Sequence, residues 1–138
     1  MIVLDANVWL SSIFTVQTQH LISLSWLNAR IQRDDEIHVL GLFVAEMVGS
    51  VARRVQSTRA AEWAVRDLRS EVLLQVHPTD ALHDLIVESA IIASLRGADA
   101  VHVALARRLN VPLVTWDREI GRNAGRLIDV QEPSLAVI

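Results

Sequence analysis

The sequence predicts an α/β fold in which a parallel sheet carries helices on both faces. Three observations lead there. Short, near-continuous apolar stretches alternate along the chain with stretches of helical periodicity. The apolar stretches are rich in Val, Ile and Leu, as strands buried on both faces are. Hydrophobic residues make up 51% of the 138, enough for one packed core, and no linker, internal repeat or low-complexity segment divides the chain, so residues 1–138 read as one domain.

The elements follow in order. "IVLD" from residue 2 is a short buried strand, and "ANVWLSSIF" after it starts a helix that Asp5 or Asn7 can cap. Residues 18–32 place Leu21, Ile22, Leu24, Trp26, Leu27 and Ile31 at mostly helical spacing, and the acidic run Asp34, Asp35, Glu36 ends that helix in a solvated loop. "IHVL" is a second strand. Residues 42–55 form a helix with Val44, Met47, Val48, Val51 and Val55 on its apolar side. Ser57 or Thr58 restarts a polar-faced helix over 59–71, and "VLLQVH" is a third strand. Pro78 and Thr79 stop that strand and cap a helix over 80–96, with Gly97 as its C-cap. Residues 98–110 are a helix closed by Asn110. "VPLVTW" is a fourth strand followed at once by Asp117, "EIGRNAG" is a short helix or turn, and "RLIDV" is a candidate fifth strand.

Composition excludes several chemistries. The chain has no cysteine, so disulfides, thiolate metal sites and cysteine nucleophiles are out, which fits a reducing, cytoplasmic setting. All 13 positive charges are arginine. Without lysine there is neither a P-loop nor a Schiff base. No apolar run approaches the roughly 18 residues that span a bilayer, and the N-terminus lacks a basic signal region. The net charge of −3 is not the global footprint of a nucleic-acid binder. The distribution is uneven, however: residues 51–70 hold five arginines against two acids, and residues 96–126 six against three. Such arginine-rich flanks suit a phosphate-backbone ligand.

Four acids stand in awkward apolar settings. Asp5 follows "MIVL", Glu46 sits mid-helix in "FVAEMV", Asp99 opens the alanine-rich helix of "GADAVHVALA", and Asp117 follows "VPLVTW". Each has a plain structural reading as a cap, a solvent-facing residue, a first-turn acid favoured by the helix dipole, or a turn residue. Buried carboxylates need partners, though, and Mg²⁺ or Mn²⁺ gathers oxygen ligands that otherwise repel. In parallel α/β sheets ligands bind beyond the carboxyl ends of the strands, where Asp5 and Asp117 lie.

"IVLDANV", "VAEMVGSV", "GADAVHVALA" and "PLVTWD", in that order, resemble the PIN-domain ribonucleases, most closely their VapC-like toxins. The resemblance covers nearly the whole chain. It implies a three-layer α/β/α sandwich, a five-strand parallel sheet ordered 3-2-1-4-5, and Asp5, Glu46, Asp99 and Asp117 as catalytic residues and ligands of one or two Mg²⁺ or Mn²⁺ ions. Asn7 and Thr115 fall where second-shell polar groups are expected. No role is carried onto His102, and Trp116 is bulkier than its position leads one to expect. The resemblance further implies a metal-dependent endoribonuclease with an RNA substrate, an antitoxin partner, a homodimer and no membrane.

Other features are weaker. "DALHD" puts Asp80, His83 and Asp84 on one helical turn, a metal face or simply an acidic first turn. Arginines 53, 54, 59, 66 and 69 surround a helical hairpin, with Trp63 as an apolar anchor for a partner. An aspartate-nucleophile phosphohydrolase would need a second aspartate where Asn7 stands, and usually a lysine. A non-catalytic RNA- or protein-binding module is the other alternative.

Overall fold

The computed structural model describes residues 1–60, 62, 63, 66 and 74–137. Its strands are β1 (Ile2–Leu4), β2 (Ile37–Leu40), β3 (Leu74–His77), β4 (Leu113–Val114) and β5 (Val130–Gln131). Its helices are α1 (Ala6–Ile13), α2 (His20–Gln32), α3 (Gly41–Val55), α4 (His83–Ala93), α5 (Gly97–Leu109) and α6 (Arg118–Ala124), with 3₁₀ turns at Asp80–Leu82 and Leu135–Val137. The five strands are parallel and ordered β3-β2-β1-β4-β5. The expected α/β sheet, strand order included, is the one observed.

Alternation along the strands divides the core in two. Ile2, Leu4, Ile37, Val39 and Val114 face one side, where they meet Val8, Trp9, Trp26, Leu27, Phe43 and Met47 from α1, α2 and α3. Val3, Leu40 and Leu113 face the other, against Ala93 of α4, Val101, Val103, Leu105 and Ala106 of α5, and Ile120 and Ala124 of α6. A strand whose successive side chains both meet helices cannot show a polar alternation, which is why β1 reads as an unbroken apolar run. On the first face Trp9 meets Phe43 edge-on, with ring centroids 6.2 Å apart.

Several boundaries differ from the sequence reading. Gly97 does not cap the preceding helix. Ser94 does, in the left-handed conformation (φ 50°, ψ 44°), and its N–H bonds to Ala90 O. Gly97 is instead the first residue of α5, and a Cβ there would meet nothing within 4 Å. Thr79 makes no capping hydrogen bond, and the first turn after it is 3₁₀. Asn110 closes α5 as expected, at φ 54°. Val55 is 49% exposed, whereas Phe43, Met47 and Val51 carry the buried face of α3. The fourth strand shrinks to two residues and the fifth starts at Val130. Ser57 Oγ accepts from Ala60 N and caps the turn that follows. Of the helix and strand expected over 59–77, residues 61, 64, 65 and 67–73, including Arg69, lie outside the described residues. Among the described residues, no single helix is long and apolar enough to cross a membrane.

Candidate metal centre

The two central strands, β1 and β4, run side by side and end together, so the residues just beyond them meet although they are more than a hundred positions apart in sequence. Asp5 leaves β1 in an extended conformation and caps α1, its Oδ1 accepting from Asn7 N at 3.2 Å. Its Oδ2 accepts from Asn7 Nδ2 at 3.0 Å and from the Thr115 hydroxyl at 2.7 Å. Thr115 Oγ1 in turn accepts from Asn7 Nδ2 and from Asp117 N, both at 3.0 Å. Asn7 Oδ1 accepts from Trp116 N at 3.1 Å. Asp5 is only 9% exposed and Thr115 1%. The network supplies the donors a buried carboxylate requires.

Asp117 repeats the device of Asp5. It caps α6, with Oδ1 accepting from Glu119 N at 2.8 Å, and leaves Oδ2 for other partners. For Asp5 and Asp117 the capping role does not compete with a role in a site: a cap spends one oxygen and fixes where the other points. Trp116 explains its own bulk. Its indole packs against the core on the α1 and α2 side, and Nε1 donates to Ser23 Oγ at 2.8 Å and Ser11 Oγ at 3.2 Å. The segment carrying Thr115 and Asp117 is thereby pinned from behind.

The helices bring the remaining groups. Glu46 projects from the middle of α3. His102, buried on α5 one turn after Asp99, faces it with Nε2 3.6 Å from Glu46 Oε2 and 4.0 Å from Asp5 Oδ1. Among the described residues, Asp5, Glu46 and His102 form the one group of three whose ligand atoms lie within 4.8 Å of one another. Two carboxylates and an imidazole are a donor set that fits a divalent cation. Asp80, His83 and Asp84 form no such group. Burial works against a charge on His102, but the facing Glu46 carboxylate, with Asp5 and Asp99 nearby, outweighs it and raises the pKa above its ordinary value.

Asp99 and Asp117 are joined differently. The Arg96 guanidinium reaches Asp99 Oδ2 at 3.0 Å and Asp117 Oδ2 at 3.3 Å. Its pKa is raised, chiefly by the hydrogen bond to Asp99. The four acids singled out in the sequence thus fall into two pairs, Asp5 with Glu46 beside His102, and Asp99 with Asp117 beneath Arg96. Sequence reading missed His102 and Arg96. The available signal was their spacing of three residues from Asp99, which puts each on its neighbouring turn. A cleft of about 490 Å³ opens beside the first pair, lined by Asp5, Asn7, Glu46, Ser50 and Arg53 among others.

Solved structures with the same fold cover nearly the whole chain. The VapBC2 complex from Rickettsia felis, bound to a DNA fragment from its promoter, matches at 15% identity and a TM-score of 0.74, over 97% of this chain and 100% of that one. VapC20 of Mycobacterium tuberculosis, a toxin that cleaves the sarcin-ricin loop, matches at 17% identity and a TM-score of 0.72, over 95% and 99%. PAE2754 from Pyrobaculum aerophilum matches at 18% identity and a TM-score of 0.66, over 93% and 82%. No curated protein sequence matches significantly. The PIN domain family pattern matches residues 2–126, spanning all four acids and both strands that carry the site to the sheet's edge, and the chain belongs to the PIN domain family.

Proposed function

We propose that this chain is a metal-dependent endoribonuclease, the toxin of a toxin–antitoxin pair, acting in the cytoplasm as a single domain and a homodimer. The observation that carries the reading is the convergence of Asp5, Glu46 and His102 beyond the end of the central strand, with Asp99 and Asp117 held together by one arginine. Support for the toxin role comes from VapC20, described as a sarcin-ricin-loop-cleaving toxin, and from the VapBC2 complex, which share this fold.

Asp5, Glu46, Asp99 and Asp117 are the groups that would hold Mg²⁺ or Mn²⁺. Such a cation, when bound, activates water and offsets the charge that develops on a phosphodiester during in-line attack. The chain's own residues then have distinct tasks. Thr115 and Asn7 hold the Asp5 carboxylate in one orientation, so no reorganisation is needed when the site is used. Glu46, more exposed than Asp5, faces the cleft and orients the attacking water. Arg53, on the same face of α3, meets the phosphate backbone as it enters the cleft. An antitoxin would block the site by offering a cation of its own to these acids.

The test is cleavage of a mixed single-stranded RNA pool with Mn²⁺ or Mg²⁺ against EDTA, for wild type and Asp99→Asn. Metal-dependent cutting that the variant loses is the expected result. Absence of cutting together with absence of Mn²⁺ binding by calorimetry overturns the proposal and leaves a non-catalytic binding module.

A further inference from the structure

His102 is buried more completely than any of the four acids, yet its ring lacks the partners a buried imidazole ordinarily has. Nδ1 is buried without a hydrogen-bond partner. Nε2 faces two carboxylate oxygens at 3.6 and 4.0 Å, beyond good hydrogen-bonding distance. These separations suit something placed between the groups. Two ligand atoms on one ion, each about 2.1 Å from it, lie between about 3.0 Å and 4.2 Å apart, depending on their angle at the metal. Both His102 distances fall in that range.

We infer that His102 is itself a metal ligand through Nε2, completing with Asp5 and Glu46 a mixed nitrogen–oxygen set. The inference rests on the metal-centre reading above and goes beyond it in assigning a nitrogen to a site expected to be all oxygen. The consequence is selectivity. Mg²⁺ is a hard ion that prefers oxygen and keeps its waters, whereas imidazole is a good ligand for first-row transition ions. The centre therefore favours ions such as Mn²⁺ and Co²⁺ over Mg²⁺. With Nδ1 unbraced by an acceptor, burial and not a second hydrogen bond fixes the ring, which is 2% exposed. The competing account makes His102 an imidazolium that neutralises Asp5 and Glu46 and is never bound to metal.

Pulsed electron paramagnetic resonance of Mn²⁺ bound to the full-length chain separates the two. The expected spectrum shows nitrogen hyperfine coupling that changes from the ¹⁴N to the ¹⁵N pattern when the histidines alone carry ¹⁵N. His102→Gln should abolish the coupling and weaken Mn²⁺ binding by about tenfold or more, the scale on which even an outer partner of a ligand matters. Mg²⁺ binding should stay within about threefold, because its contacts are to oxygen. Bound Mn²⁺ without histidine coupling in the wild type overturns the inference and leaves the metal-centre reading standing. Failure to bind Mn²⁺ at all overturns both. Absence of coupling in the labelled wild type refutes the inference whether or not the variant folds, and loss of the coupling in His102→Gln assigns the nitrogen to this one of the five histidines.

Discussion

Thr115 is the residue on which the acidic site turns, and Thr115→Val measures by how much. The substitution keeps the shape of a side chain that is 1% exposed and removes only its hydroxyl. Three hydrogen bonds go with it: the 2.7 Å donation to Asp5 Oδ2 and the two 3.0 Å acceptances, from Asn7 Nδ2 and from Asp117 N. A hydrogen bond to a charged group contributes about 1.5–3 kcal/mol, and a buried donor left unpaired costs about 1 kcal/mol or more. Asn7 Nδ2 keeps its bond to Asp5, so it is not orphaned, whereas Asp117 N loses the threonine oxygen. The expected loss is about 2–4 kcal/mol. At roughly 3–4 °C per kcal/mol for a chain of this size, the melting temperature should fall by about 10 °C. Thermal melts in EDTA keep metal binding from contributing. Thr115→Ser is the control: it retains the hydroxyl, loses one methyl, and should cost about 1 kcal/mol. Were the valine variant to melt within about 2 °C of wild type, or together with the serine variant, the network would not be ordering the site.

Two further outcomes are expected. The histidines give opposite pH dependences of stability in the metal-free protein. His102 has a folded-state pKa raised above 6.5, so its contribution is full below 6.5 and is lost as pH rises through the raised value. His38 is lowered, first by burial and also by the nearby His77, with Glu36 opposing. The unfolded chain then takes up that proton first, so the contribution of His38 is present above 6.5 and lost as pH falls below it. Melting temperatures from pH 5 to 8 should flatten above 6.5 in His102→Gln and below 6.5 in His38→Gln, and unchanged profiles would contradict the assignments. At Ser94, exposed and at φ 50°, glycine removes the left-handed penalty of an L residue. Ser94→Gly should raise stability by about 0.5–1 kcal/mol, and a lowered melting temperature would refute this.

What the sequence made legible was whatever local chemistry forces. Ile2–Leu4 and Ile37–Leu40 had to be buried strands because helices cover both of their faces. Asp5 and Asp117 could be placed because a carboxylate directly after such a strand lands at the sheet's ligand-binding edge and caps the helix that follows. Pattern alone did not supply the strand order, which came with the family resemblance. Other features were hidden for physical reasons. Ser94 closes α4 in a conformation that serine seldom adopts, so Gly97 drew the assignment. The fourth strand ends early because Trp116 N bonds to the Asn7 side chain, a partner more than a hundred residues away. His102 looked like one apolar-helix histidine among five, since nothing near it in sequence reveals that Glu46 and Asp5 face it.

The arrangement of charge suggests how four carboxylates coexist before any metal arrives. Each pair has its own basic side chain, Arg96 or His102, and the two differ in how readily they yield. Arg96 is an exposed side chain (70%) on the loop before α5, so moving it away exposes little that was buried and solvent already screens its pairing. His102 is fixed in the middle of α5 and cannot withdraw. A divalent ion entering beside Asp5 and Glu46 must therefore meet the imidazole, whether as ligand or as a repelling charge. One entering at Asp99 and Asp117 need only displace an exposed guanidinium. The first pair is the preorganised half of the site, anchored by Thr115, Asn7 and a buried ring. The second is the adjustable half, where an incoming cation would compete for the position that Arg96 holds between Asp99 and Asp117.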